Sequence, residues 1–270
     1  MKRTWFRLLC ALAGFTALLY GPSLALAQTA PPLGALKQFS VLGNSGVTGS
    51  TGVGTTVNGD VGSSPTATIS NFPPSSVTPP FFLHTTNDLT VQQAHADAIT
   101  AYNNLAAQGS GTVLAAQLNG AVLTSGIYSF TGGAADLAAG GTLTLNGPGI
   151  FIFQVTSTLT ANVGSNVTGS AVPCNVFWRV GTSATLNGSS FRGTVIANAN
   201  VSVGAGSSLT GKAIAGTGVT GAVTMAGSGG NTVGACASVP TPAVGVGGMA
   251  VLILLLTGAG ALFVMRKPTA

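Results

Sequence analysis

The stretch GSSFRGTVIANANVS, residues 188–202, is followed eighteen positions on by GSSLTGKAIAGTGVT, residues 206–220. Apolar residues fall at matching places and glycine meets glycine. The first half of the unit, G-[S/T]-[S/T/N]-apolar-x-G, recurs as GTTVNG at 54–59 and GSNVTG at 164–169. The second half recurs as VLGNSGVT at 41–48, beside VIANANVS and AIAGTGVT. A looser copy, counted with one extra residue, runs through FWRVGTSATL at 177–186. A short period with glycine at the corners and alternating apolar positions predicts a β-solenoid. One coil cannot bury its apolar edge alone, so coils stack.

One segment leaves this pattern. From Asp88 to Gln108, Val91, Ala94, Ala98, Tyr102 and Leu105 fall on one helical stripe. Asp88 is placed to cap its start, and Gly109 to end it. The preceding Ser63–His84 stretch is rich in proline and reads as a loop.

Aligned by the repeat, Thr48, Ser202 and Thr220 occupy one column, which Thr185 joins through the looser copy. Beside it run Asn200 with Gly46 and Gly218, then Asn44 and Asn198 with Gly216. Stacked coils put like positions about 4.8 Å apart, so a charged column would repel itself. The composition agrees: 5% of the chain is charged and there is no Glu, against about 25% charged residues in an ordinary soluble domain.

The net charge of +5 comes from the termini. Lys2, Arg3 and Arg7 precede an apolar run that ends at Ala25-Leu26-Ala27, the pattern of a secretory signal over residues 1–27. Residues 243–265 carry no charge and precede Arg266 and Lys267. At about 1.5 Å per residue that run extends roughly 34 Å, enough to cross a bilayer. Residues 239–270 are therefore expected to form a membrane anchor or sorting signal, and 28–238 a single solenoid domain outside the cytoplasm. Within it Lys37, Arg179, Arg192 and Lys212 balance Asp60, Asp88, Asp97 and Asp136. No basic cluster offers a nucleic-acid footprint.

Chemistry-bearing residues are few. His84, His95 and four scattered Asp suggest surface His and turn or cap Asp, with Asp60 at a turn. There is no G-x-S-x-G elbow. Gly216–Gly221 matches G-x-G-x-x-G but lacks the acidic residue of a dinucleotide site. No enzymatic activity, cofactor or metal site is expected. Cys174 and Cys236 would meet an oxidising compartment, either as a disulfide closing a loop of about 62 residues or as two free buried thiols.

The order of longer phrases carries a resemblance. VLGNSGVT, VNGDVGSSP, NFPP, A-x-A-D-A-x-x-A-Y-N-x-L-A, LTSGIYSF, GIFIFQV and CNVFWRVG follow one another between Phe39 and Val233. This series is similar to the ice-binding protein family of microbial secreted solenoids. The resemblance implies an all-β fold with one α-helix. It would be an irregular right-handed β-solenoid (β-helix) with a long helix alongside and an N-terminal coil packed beside the C-terminal coils. The family's surface motif, T-A/G-x-T/N, matches Thr217–Thr220 and Thr48–Thr51. Residues three apart on a straight strand face opposite ways, so each pair needs a corner or bulge to share a face.

The implied partner is the ice crystal surface. Ice offers no charge and no single grip, so a protein holds it with a flat, rigid array. Threonine supplies a hydroxyl and a methyl and is stiff at χ1. The expected contacts are Asn44, Thr48, Thr51, Thr185, Asn198, Asn200, Ser202, Thr217 and Thr220, on a secreted or surface-anchored monomer. A non-enzymatic adhesin or matrix protein on the same solenoid is the other reading. The tail, Val239-Pro240-Thr241-Pro242 before the apolar run, is similar to bacterial sorting tails.

Overall fold

The computed structural model describes residues 28–234, apart from 189, 228 and 229. The expected leader, the apolar C-terminal run and Cys236 lie outside the described residues. Cys174, in the short turn Pro173–Asn175, is disulfide-bonded. Among the described residues no helix is long and apolar enough to cross a membrane.

Parallel strands stack as coils, in the spatial order 112–123, 126–145, 151–168, 176–192, 194–210, 212–234, 39–58 and 60–77. The stack is continuous although the chain is not. Val41 and Leu42 lie opposite Ala213 and Ile214, and Val41 lies opposite Val61 on the other side. The N-terminal coil is therefore the seventh in the stack, beside the coil that ends the described chain. This adjacency accounts for the likeness of 41–48 to 195–202, since both fill equivalent turns of one core.

Each coil has three sides. On one side, short strands such as Leu159–Ala161, Ala184–Leu186 and Val201–Val203 bury their outer two residues and leave the middle one partly exposed. They form a seven-stranded parallel sheet. On the next side, two polar positions flank one buried apolar residue, as in Thr142–Thr144 and Ser208–Thr210. The third side is largely buried on both faces, with Gln154, Thr194 and Lys212 standing among its apolar residues. Phe151–Val155 is buried throughout, because Phe151, Phe153 and Val155 enter the core while Ile152 meets the helix.

The helix, Leu89–Ala107, covers that side. Val91, Ala94, Ala98, Ala101 and Leu105 pack on Leu42, Ile152, Phe177, Ile196 and Ile214. Burying each large side chain contributes roughly 1.5–3 kcal/mol. Asp88 caps the helix, its carboxylate accepting from Thr90 N and Val91 N at 2.9 and 3.0 Å. Inside the solenoid, in-register Tyr128, Phe153 and Trp178 stack along the axis. The Phe153 and Trp178 rings lie 3.8 Å apart between centroids. Trp178 satisfies its indole N–H on Arg192 O at 3.0 Å.

The glycine that closes the G-x-x-x-x-G unit turns the chain back towards the helix side. Gly193 has φ 114°, and a Cβ there would stand 2.7 Å from Val176 O in the coil below. Only glycine combines that backbone angle with so close an approach.

Candidate functional site

The seven-stranded sheet aligns one outward side chain per coil. Pairing places Thr160 opposite Thr185, Thr185 opposite Ser202, Ser202 opposite Thr224, Thr224 opposite Thr48, and Thr48 opposite Ser70. This uncharged row runs five steps of about 4.8 Å, roughly 24 Å. Leu159, Leu186, Val201, Val223 and Val47 lie beneath it, each at most 2% exposed, so the row rests on close-packed core and is held rigidly. Thr224 and Ser70 are exposed and the others partly so. Ser70 Oγ donates to Thr48 Oγ1 at 3.2 Å. The hydroxyls of Thr160, Thr185, Ser202 and Thr224 have no hydrogen-bond partner among the described residues. The row ends at Asp136, whose carboxylate accepts from Gln117 and Asn162 at 2.8 and 3.0 Å.

Three expected contacts, Thr48, Thr185 and Ser202, thus stand in one row, as the repeat predicted. Thr220 does not. Val195 pairs with Ala213, eighteen positions on, but Val201 pairs with Val223, twenty-two positions on. Four extra residues enter between those strands. They form a protruding corner in which Gly218, Val219 and Thr220 are exposed, and Thr224 takes the place expected of Thr220. Thr217, in the same corner, is also corrected: it is 6% exposed and its hydroxyl donates to Ala197 O at 3.3 Å. The looser copy needs no extra residue, since Trp178 and Thr185 lie opposite Val195 and Ser202.

The remaining positions lie at the margins. Asn44 and Asn198 sit at the corner between the helix side and the sheet. Asn44 Nδ2 is 3.3 Å from His95 Nε2, and Asn198 O accepts from Val219 N at 3.3 Å. Asn200 is exposed, and its Oδ1 accepts from Ala222 N at 2.9 Å, tying two coils together at the sheet's edge. Thr51 is exposed at the opposite corner. The repeat frame missed Thr160, Thr224 and Ser70. The signal for the first two was an apolar–Thr–apolar triplet, LTA and VTM, like ATL at 184–186.

Charge is kept off this row and spent on structure. The structure gathers Asp60, His84 and Asp88, which the sequence had left scattered. His84 Nδ1 is 2.8 Å from Asp88, and Nε2 is 3.3 Å from Asp60. Both ring nitrogens lie within hydrogen-bond distance of carboxylates, which ties the imidazole to the helix cap on one side and to the stack on the other. Asp60 also accepts from Phe82 N, and Asp97 accepts from Ala35 N and Gln93. These contacts hold the proline-rich segment and the N-terminal turn onto the helix and the stack.

The family model described as Ice-binding-like matches residues 41–229. The chain belongs to the ice-binding-like family. It is 37% identical over 185 residues to an ice-binding protein of Nostoc sp. (strain HG1), a match that covers 66% of each chain, just under two thirds. The crystal structure of an ice-binding protein from the Antarctic ascomycete Antarctomyces psychrotrophicus superposes with a TM-score of 0.67 at 35% identity, over 78% of this chain and all of that one. A Shewanella frigidimarina ice-binding protein superposes with a TM-score of 0.67 at 25% identity, over 79% and 100% of the two chains. The solenoid with one accompanying helix is thus the fold of this ice-binding-like chain and of its structural neighbours.

Proposed function

We propose that this chain adsorbs to ice outside the cell, without catalysis, and inhibits ice growth or recrystallisation. The observation that carries the reading is the row from Thr160 through Thr224 to Ser70 on the seven-stranded sheet. It is neutral, periodic and backed by a packed core, and most of its hydroxyls have no hydrogen-bond partner among the described residues. Threonine's restricted χ1 means that little rotamer entropy is lost when the row meets a lattice. Family membership supports ice as that lattice. The leader-like residues 1–27 support export, and the apolar run at 243–265 supports retention at the cell surface. The test is an ice recrystallisation and thermal hysteresis assay on the purified protein and on a Thr185→Tyr/Thr224→Tyr double variant. The native protein is expected to arrest recrystallisation and the variant to be clearly weaker in that effect at an unchanged melting temperature. A native protein with no effect on ice would overturn the proposal.

A further inference from the structure

The side of the solenoid that follows the seven-stranded sheet carries a second array. Here each strand presents two outward positions around one buried residue. The first row runs Thr142, Asn166, Ser190, Ser208, Thr232, Thr56, Ser76 in strand register. Every rung is a hydroxyl or an amide, and each is at least partly exposed. The second row, two residues on and about 6.7 Å from the first, holds Thr144, Thr168, Arg192, Thr210 and Asn58, with Gly234 as a gap between the last two and the exposed Val122 at its far end, opposite Thr144. Leu143, Val167, Phe191, Leu209, Val233 and Val57 form the buried layer beneath, each at most 3% exposed. Thr232 Oγ1 donates to Ser208 Oγ at 2.8 Å, locking adjacent rungs.

We infer that this side is a second ice-contacting surface, which makes the site a compound one. The inference rests on the ice-binding reading of the neighbouring sheet. The chemistry of the array selects the occupant. A protein partner needs apolar or aromatic anchors at the centre of its interface, and the first row has none. A polyelectrolyte needs a run of like charge. The one charge in these two rows is Arg192, and its Nη1 is bound to Gly169 O at 2.9 Å. A rigid plane whose first row is unbroken and uncharged, and whose second row carries a single charge held against a backbone carbonyl, is complementary to a neutral periodic lattice. The two open sides meet at short corners such as 162–165 and 204–207. The protruding 216–221 corner stands at the opposite edge of the seven-stranded sheet, where it does not interrupt the joined surface. One side offers a single row and the other a double row, so the two match different ice planes.

The test compares two double variants by thermal hysteresis and by etching of single-crystal ice after adsorption. Thr185→Tyr/Thr224→Tyr marks the seven-stranded side and Thr144→Tyr/Thr210→Tyr the second side. Asn103→Tyr, on the exposed face of the helix, serves as control. Native protein and control are expected to etch the same planes, while each double variant loses a different subset and part of the hysteresis. If only the first double variant loses activity, the second surface is overturned and the reading of the first stands. If only the second variant loses activity, the assignment of the seven-stranded side falls and the compound site is overturned, leaving the second side as the one ice-contacting surface. If neither loses activity, both assignments fall. Melting curves check folding, and Thr144→Lys/Thr210→Lys replaces the second pair if the Tyr variant melts early.

Discussion

Thr220 and Thr224 differ by four positions and by their relation to the lattice-like row. Thr224 stands opposite Ser202 and Thr48, whereas Thr220 projects from the inserted corner. A tyrosine at 224 raises a bump in the plane; at 220 it stands outside it. Thr224→Tyr is expected to lower thermal hysteresis sharply while Thr220→Tyr leaves it near native. Both variants should keep stability within about ±0.5 kcal/mol, as at ordinary surface sites. Equal loss from both in etching and hysteresis assays would place the corner in the contact surface. The neighbouring valines separate in the same way. Val219 is 53% exposed and Val223 is 0% exposed. Val219→Asp should leave the melting temperature almost unchanged. Val223→Asp buries an unpaired charge and should cost on the order of 4 kcal/mol or more in denaturant unfolding.

At the scale of elements, local chemistry was legible and through-space register was only half so. The helix expected over Asp88–Gln108 spans Leu89–Ala107 with Asp88 as its cap, because capping and a 3.6-residue stripe are short-range signals. The G-x-x-x-x-G units lie in equivalent turns, because their second glycine meets a backbone constraint that repeats with every coil. The corner at 216–221 was misread because the inserted residues, Gly, Val and Thr, belong to the same vocabulary as the strands. AIAGTGVT ends on a threonine at the expected distance by coincidence. The Asp60–His84–Asp88 cluster was hidden for the opposite reason: Asp60 lies 24 residues from His84 in a different coil, and no period links them. Two elements can be tested directly. Gly193→Ala forces a Cβ against Val176 O at positive φ and should cost about 1–3 kcal/mol, read as a drop in melting temperature. Asp88→Ala removes the helix cap and should cost about 1 kcal/mol at neutral pH. The hydrogen bond from His84 holds the Asp88 carboxyl below its ordinary 3.8, with desolvation opposing. Its contribution is therefore present above that value and lost as pH falls below it. The native protein and Asp88→Ala should converge in stability in acid.

At the scale of the whole molecule, the discontinuous stack creates a seam, and the seam contains a buried charge. The seventh coil is joined to the sixth across β-pairs but not through the chain, so the N-terminal segment must be held in place. Lys212 does this from the sixth coil: Nζ donates to Lys37 O and Phe39 O at 2.7 and 2.6 Å, and the residue is only 4% exposed. Burial lowers its pKa from 10.5 to about 8, with Asp60 nearby opposing the shift. The stability consequence has a definite sign. Below pH 8 both folded and unfolded chains carry the charge, and the fold bears the desolvation cost. Between 8 and 10.5 the unfolded chain binds the proton and the folded one releases it, so stability rises with pH across that window. The gain is bounded by the size of the shift, at most about 3 kcal/mol. Tyr102 acts in the other direction nearer pH 10, because burial raises its pKa, so the measurement belongs between pH 8 and 9.5. Denaturant unfolding of the native protein is expected to show rising stability over that range, and Lys212→Met is expected to be flat by comparison. Parallel curves would mean that the two carbonyl bonds compensate the buried ammonium, and that Lys212 keeps its proton while it pins the N-terminal coil.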